Sequence, residues 1–246
     1  MPARHSWLKR WSRPEATDGR HIVSAPTNPH LSIAPVVAGA PLERARVVAV
    51  LVHGRAQNEQ VMLDVAQRLA LSDVAYVLPV AAENSWYPNR YFDPVSENEP
   101  HLGWALAAIE AAIDAANRSG FPDSRIVVGG FSQGACLVAE MTARGTRPFA
   151  GVAILTGSLL GTPPERRSPM PASGLQMFFA SSLHDEWVAI EDAQATAAAF
   201  ARAGAKVVFE TLDDREHLFS DRAVAGLSTL LKNAGRVSRA DAEHLG

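Results

Sequence analysis

The segment Gly130-Phe131-Ser132-Gln133-Gly134 matches the pattern G-x-S-x-G, in which a sharp strand-to-helix turn presents a serine hydroxyl as a nucleophile. Glycine on either side of such a turn lets neighbouring backbone approach where a Cβ would collide. A serine hydroxyl attacks an acyl carbon efficiently only when a base takes its proton, and the developing oxyanion needs preorganised N–H donors. The chemistry therefore calls for a histidine, a carboxylate to orient it, and a loop that aims backbone N–H groups at the serine. By itself the pentapeptide is equally a glycine-bounded turn, so the elements around it decide.

Those elements alternate between strand and helix. Residues 47–52 (Val-Val-Ala-Val-Leu-Val) form an unbroken apolar run, as expected of a central parallel strand covered on both faces. A run at 31–37 containing Pro35 suggests an opening edge strand, where proline is tolerated. Helical patterns follow at 61–71, 102–117, 133–144, 191–203 and 222–231, interleaved with strands at 75–80, 125–130, 149–155, 175–180 and 206–211. Repeated β-α units with right-handed crossovers build a mostly parallel central sheet with helices on both faces. Ser132 falls between an apolar strand and a helix, the context that its motif requires. Residues 1–30 read as an irregular N-terminal arm, 31–235 as one α/β domain and 236–246 as a polar C-terminal tail. Two segments, 81–100 and 161–174, are long loops of the kind that hold substrate at the carboxyl ends of strands.

In sheets that carry such a serine elbow the acid and the histidine follow the serine in the chain. Three histidines qualify: His184, His217 and His244. His244 lies in the polar tail, whereas His217 stands after the expected strand 206–211 and before the last helix, where the base belongs. The strand 175–180 leads into Ser181-Ser182-Leu183-His184-Asp185-Glu186-Trp187-Val188, which offers Asp185, with Glu186 as the alternative, to accept the His217 ring proton. For the oxyanion, one donor is the backbone N–H of Gln133. The other is the N–H of Arg55 in His53-Gly54-Arg55-Ala56, after the strand 47–52. Trp86, Tyr87, Phe92, Leu159 and Trp187 are candidate substrate-binding residues, with Tyr91, Leu160 and Met170 beside them; core packing is the competing reading for each. Cys136, one turn past Ser132, is expected to be buried packing.

Taken together these residues resemble the phospholipase/carboxylesterase family of α/β-hydrolases, which includes the acyl-protein thioesterases. The matching runs are 51–55 (Leu-Val-His-Gly-Arg), 84–88 (Asn-Ser-Trp-Tyr-Pro) with 98–100 (Asn-Glu-Pro), and 130–137 (Gly-Phe-Ser-Gln-Gly-Ala-Cys-Leu). The resemblance implies the α/β-hydrolase fold, a triad on Ser132, Asp185 and His217, and oxyanion donors at Arg55 and Gln133. It favours Asp185 over Glu186 because the family's acid precedes a hydrophobic residue by three positions, here Val188. Three departures stand out: Ala56 replaces a glycine, the acidic run Asp213-Asp214-Arg215-Glu216 replaces a small, glycine-rich approach to His217, and Ala189 replaces a proline.

The implied activity is hydrolysis of a small-molecule carboxylic ester through an acyl-enzyme, with thioesters and lysophospholipids reachable by the same chemistry. A ligand-binding protein without turnover is the alternative, motivated by Ala56 and the acidic run. No cofactor and no metal are expected. The composition of the 246 residues, 47% hydrophobic and 20% charged with a net charge of -3, gives no electrostatic case for nucleic acid. A single cysteine excludes an internal disulfide, and no run approaches the roughly 18 apolar residues of a membrane span, so no stable membrane insertion is expected. The basic residues near the N-terminus precede no signal-peptide apolar region, which points to the cytoplasm. A homodimer is left open.

Overall fold

The computed structural model describes residues 27–161, 171–214 and 217–243, with the side chains of 237–243 excepted. Most of the N-terminal arm, Met170, Arg215, Glu216 and His244 lie outside the described residues. Seven strands form one sheet: β1 (Val36–Gly39), β2 (Val47–Val52), β3 (Val74–Leu78), β4 (Ile126–Phe131), β5 (Gly151–Leu155), β6 (Gln176–Ser182) and β7 (Lys206–Leu212). Their order is β1-β3-β2-β4-β5-β6-β7, with β1 antiparallel to β3 and every other pair parallel. This is the α/β-hydrolase arrangement that the sequence implies.

Helices α1 (Glu59–Leu69), α2 (His101–Arg118), α3 (Gln133–Arg144), α4 (Ile190–Arg202) and α5 (Asp221–Glu243) supply the crossovers and cover both faces. Strand β2 is buried at all six positions because its alternate side chains enter two different cores. Val48, Val50 and Val52 join the core under α2, α3 and α4, whereas Val47, Ala49 and Leu51 join the one under α1 and α5. Burial on both sides explains the unbroken apolar run.

Two boundaries differ from expectation. The opening edge strand begins at Val36, one residue past Pro35, because residues 30–32 close a 3-10 turn in which the Ile33 N–H bonds the His30 carbonyl. Helix α5 runs on to Glu243, beyond the expected end at residue 231 and through residues expected as polar tail.

The contact that positions the site is between α3 and β2. A Cβ on Gly134 would stand 2.3 Å from the Val52 carbonyl oxygen and 2.5 Å from that of His53. A Cβ on Gly130 would meet the Gly134 oxygen at 2.3 Å. Neither backbone partner can yield as a flexible side chain would. Replacing Gly134 with Ala should therefore destabilise the fold by about 1–3 kcal/mol or more, the range for overpacking. A urea denaturation midpoint equal to the parent's would contradict this reading of the contact.

Candidate active site

Strand β4 ends at Phe131 and α3 begins at Gln133, so Ser132 alone makes the turn, with φ 54° and ψ -119°. A non-glycine residue at positive φ costs of order 1–3 kcal/mol and persists only where its surroundings hold it. Here the Ser132 N–H bonds the Leu155 carbonyl at 3.0 Å, and its own carbonyl accepts from the Cys136 N–H at 3.0 Å. The hydroxyl is thereby aimed out of the sheet.

Strands β6 and β7 end next to each other, and the loops that follow them meet over Ser132. His217 Nε2 lies 2.7 Å from Ser132 Oγ, and its Nδ1 lies 2.6 Å from Asp185 Oδ2. The other Asp185 oxygen accepts the N–H groups of Trp187 and Val188, each at 2.8 Å. Burial would raise the Asp185 pKa, but the hydrogen bond from His217 and the two backbone N–H groups outweigh it and hold the carboxyl below its usual range. An ionised Asp185 only accepts hydrogen bonds, so Nδ1 carries the ring proton and Nε2 is free to accept from Ser132. The His217 ring also packs against Phe131, with centroids 4.9 Å apart.

Glu186 is exposed, and His217 takes Asp185 in its place. His184 is drawn away from the serine by Asp213, whose Oδ1 lies 3.1 Å from its Nε2. Ser182, which sequence reasoning missed, ties the acid and histidine loops together: its hydroxyl donates to the Asp214 carbonyl and accepts the His184 N–H. Its only advance signal is a small hydroxyl residue at the buried end of an apolar strand.

The strand β2 loop passes directly over the nucleophile. A Cβ on Gly54 would stand 3.1 Å from Ser132 Cβ, which places the start of the Arg55 segment beside the hydroxyl. Neither the Arg55 N–H nor the Gln133 N–H has a backbone acceptor among the described residues; Gln133 opens α3 and so lacks an intrahelical partner. Ala56 adopts the left-handed region at φ 58°, so the chain keeps a glycine-like path at this departure from the family, anchored by its N–H to the Asn84 carbonyl at 2.8 Å.

Beside Ser132 lies a cleft of about 730 Å³ whose lining includes Arg55, Tyr87, Phe92, Gln133 and Trp187. Phe92 and Trp187 are exposed at its rim. Trp86 and Leu159, expected to bind substrate, do not line it, because both are fully buried. The Trp86 indole N–H donates to the His53 carbonyl at 2.9 Å, and its ring sits against the imidazoles of His30 and His53. Leu159 packs in the core under α4, its N–H on the Thr196 hydroxyl at 3.0 Å. Leu160 is buried as well. Arg90 and Val188 line the cleft without having been expected there. Cys136 is buried at its floor, and burial pushes its thiol up to about 11. Among the described residues no helix is long and apolar enough to cross a membrane.

The phospholipase/carboxylesterase family model matches residues 34–234. Acyl-protein thioesterase 1 of Cryptococcus neoformans is 31% identical over 134 residues, which are 48% of this chain and 56% of that protein. The chain thus spans about half the length of the curated relatives it matches. A crystal structure of a phospholipase/carboxylesterase from Dyadobacter fermentans superposes with a TM-score of 0.74 at 27% identity, over 81% of this chain and 96% of that one. The Bacillus cereus carboxylesterase shares the fold with a TM-score of 0.64 at 20% identity, over 81% and 93% of the two chains.

The buried imidazoles behind the cleft set a pH limit. His53 Nε2 accepts the Ala81 N–H at 3.1 Å and His30 Nδ1 accepts the Ala82 N–H at 3.0 Å, so each ring is neutral and donates from its other nitrogen to a carbonyl. Burial lowers both pKa values, against the opposing pull of those carbonyls. Unfolding then takes up protons that the folded rings refuse, so stability is intact above about pH 6.5 and is lost as pH falls through the folded values. The urea midpoint should be lower at about pH 5.5 than at about pH 7.5, and His53→Gln should narrow the difference. Equal midpoints in the parent protein would refute this.

Thiol chemistry supplies a second check. A buried thiol with a raised pKa is unreactive, so Cys136 should resist iodoacetamide in the native protein and react once it is unfolded in urea. Rapid native labelling would show that the cleft floor opens to solvent.

Proposed function

The chain belongs to the phospholipase/carboxylesterase family, and on that premise we propose that it hydrolyses carboxylic esters through an acyl-enzyme formed on Ser132. The observation that carries the proposal is the unbroken hydrogen-bonded chain from Ser132 Oγ through the His217 ring to Asp185. Ser132 Oγ attacks the acyl carbon while His217 Nε2 takes its proton, and Asp185 stabilises the imidazolium that results. The carbonyl oxygen becomes an oxyanion held by the N–H groups of Arg55 and Gln133, the latter reinforced by the positive end of the α3 dipole. Collapse breaks the bond to the alcohol oxygen, which receives the proton from His217. Water, deprotonated by the same ring, then releases the acid and restores the serine.

Thioesters enter by the same steps with a thiolate leaving group. Tyr87, Phe92 and Trp187 form the apolar part of the cleft and give it an affinity for short or medium acyl chains.

Ser132→Ala should abolish both turnover of p-nitrophenyl esters and labelling by a fluorophosphonate. Asp185→Asn should lower kcat by about ten-thousandfold, because the histidine tautomer is no longer fixed. Full activity in Ser132→Ala would overturn the assignment, and saturable ligand binding by the parent protein with no product would favour a receptor. A chain-length series of p-nitrophenyl esters, run beside lysophosphatidylcholine and an S-acylated cysteine peptide, assigns the substrate class.

A further inference from the structure

The two residues proposed above as oxyanion donors also hold one and the same segment of the cleft wall with their side chains. The Gln133 amide is engaged at both ends: Oε1 accepts the Trp86 N–H at 2.9 Å and Nε2 donates to the Tyr87 carbonyl at 2.8 Å. Only this orientation of the amide satisfies both partners. From the other side the Arg55 guanidinium donates to the carbonyls of Pro88 at 2.6 Å, Tyr87 at 3.0 Å and Asn89 at 2.5 Å. Its centre also stands 5.8 Å from the Tyr87 ring centroid. The Tyr87 carbonyl thus receives Gln133, Arg55 and, at 3.2 Å, the Ser85 hydroxyl.

The need for such a clamp follows from the chain around it. Residues 53–58 form no helix or strand: His53 is held at its ring by the Ala81 N–H and at its carbonyl by the Trp86 indole, and Asn58 caps α1. Between them the tethers besides the Arg55 side chain are the Gly54 carbonyl to the His53 ring at 2.8 Å, the Gly54 N–H to the Gln57 side chain at 2.9 Å, the Gln57 N–H to the Gly54 carbonyl at 3.4 Å, and the Ala56 N–H to Asn84. The 79–100 segment is likewise irregular apart from two short 3-10 turns. An oxyanion donor works only when it is held in place before the charge develops. Two irregular segments tied to one another restrain each other.

We propose that the side chains of Arg55 and Gln133 are positioning residues for the oxyanion hole, acting through residues 86–89 so that the hole and the cleft wall move as one body. The proposal rests on the esterase reading above. Its signature is loss of transition-state stabilisation at nearly constant substrate binding, which a purely structural role would not produce.

The test uses Arg55→Met and Gln133→Met, which keep the backbone N–H; methionine matches glutamine in length and keeps an unbranched apolar stem in place of the arginine one. kcat and KM for p-nitrophenyl butyrate are measured with the affinity for an alkyl trifluoromethyl ketone, whose serine adduct carries an oxyanion, and for butyrate as a ground-state ligand. Each variant should lose about ten- to a hundredfold in kcat and in ketone affinity together, with KM and butyrate binding changed less than about threefold. Because both side chains act through one segment, the double variant should lose less than the product of the single losses. Arg55→Lys, which cannot span three carbonyls, should recover only part of the loss. Thermal melting checks folding; Arg55 is exposed, and its variant alone decides the outcome if Gln133→Met does not fold. Parent-like kcat and ketone affinity, or a loss confined to KM, overturns the proposal. Hydrolysis that survives Ser132→Ala overturns instead the esterase reading on which it rests.

Discussion

Helix α3 reaches the carboxyl end of β2 only because residue 134 has no side chain, and the reacting centre depends on that contact. With the Gly134 backbone this close to the Val52 and His53 carbonyls, the chain leaving β4 has one residue in which to turn into the helix. Ser132 therefore takes a conformation that an isolated serine would avoid. The strain is tolerable because β4 and α3 are almost wholly buried, and a local cost of a few kcal/mol is small against that packing. The strained turn at Ser132 and the first N–H of α3, which has no backbone acceptor among the described residues, thus both lie at a single close approach.

How far the sequence reveals this depends on whether local or long-range forces decide each feature. Strands covered on both faces appear as apolar runs, so Val47–Val52 is readable to the residue, and Gln133–Arg144 is readable because glycine, serine and a helical pattern meet there. The residues of the hydrogen-bonded chain were legible for a topological reason: parallel strands bring their carboxyl ends to one edge, so the loops after β4, β6 and β7 must converge. What the sequence hid is side-chain direction in the long loop after β3. Trp86 and Tyr87 are adjacent aromatics with similar surroundings in sequence and both are buried, yet Trp86 is enclosed by the core whereas Tyr87 also lines the cleft. The choice is made by the His53 carbonyl and the His30 ring, both distant in the chain. Asp185 and Glu186 differ by one position, and the turn that delivers the Trp187 and Val188 N–H groups to one carboxylate separates them.

In the acidic approach to His217, the two described residues, Asp213 and Asp214, find partners in the loop after β6. Asp213 turns its carboxylate to His184, and Asp214 contributes its carbonyl to Ser182. Among the described carboxylates of these two loops, the one bonded to His217 is Asp185, whose partners favour the ionised form. Asp213 and the Asp214 backbone therefore brace the β6 and β7 loops against each other.

Ala56 and Arg55 are best understood as a pair. At φ 58° Ala56 keeps a backbone path that glycine would follow at no cost, and the left-handed conformation costs about 1–2 kcal/mol in an L-residue. That strain would favour relaxation of the loop and so withdrawal of the Gly54–Arg55 segment from Ser132. Three hydrogen bonds from the Arg55 guanidinium oppose the withdrawal, since the loop cannot relax without breaking charge-assisted contacts to residues 87–89. The anchor carries a consequence for selectivity. On the esterase reading proposed above, a substrate group that presses on Tyr87 would displace the segment that holds the hole, so acyl chains that fit the wall badly are expected to react slowly even when they bind. Fit to the cleft and rate of acylation are then governed by one set of contacts.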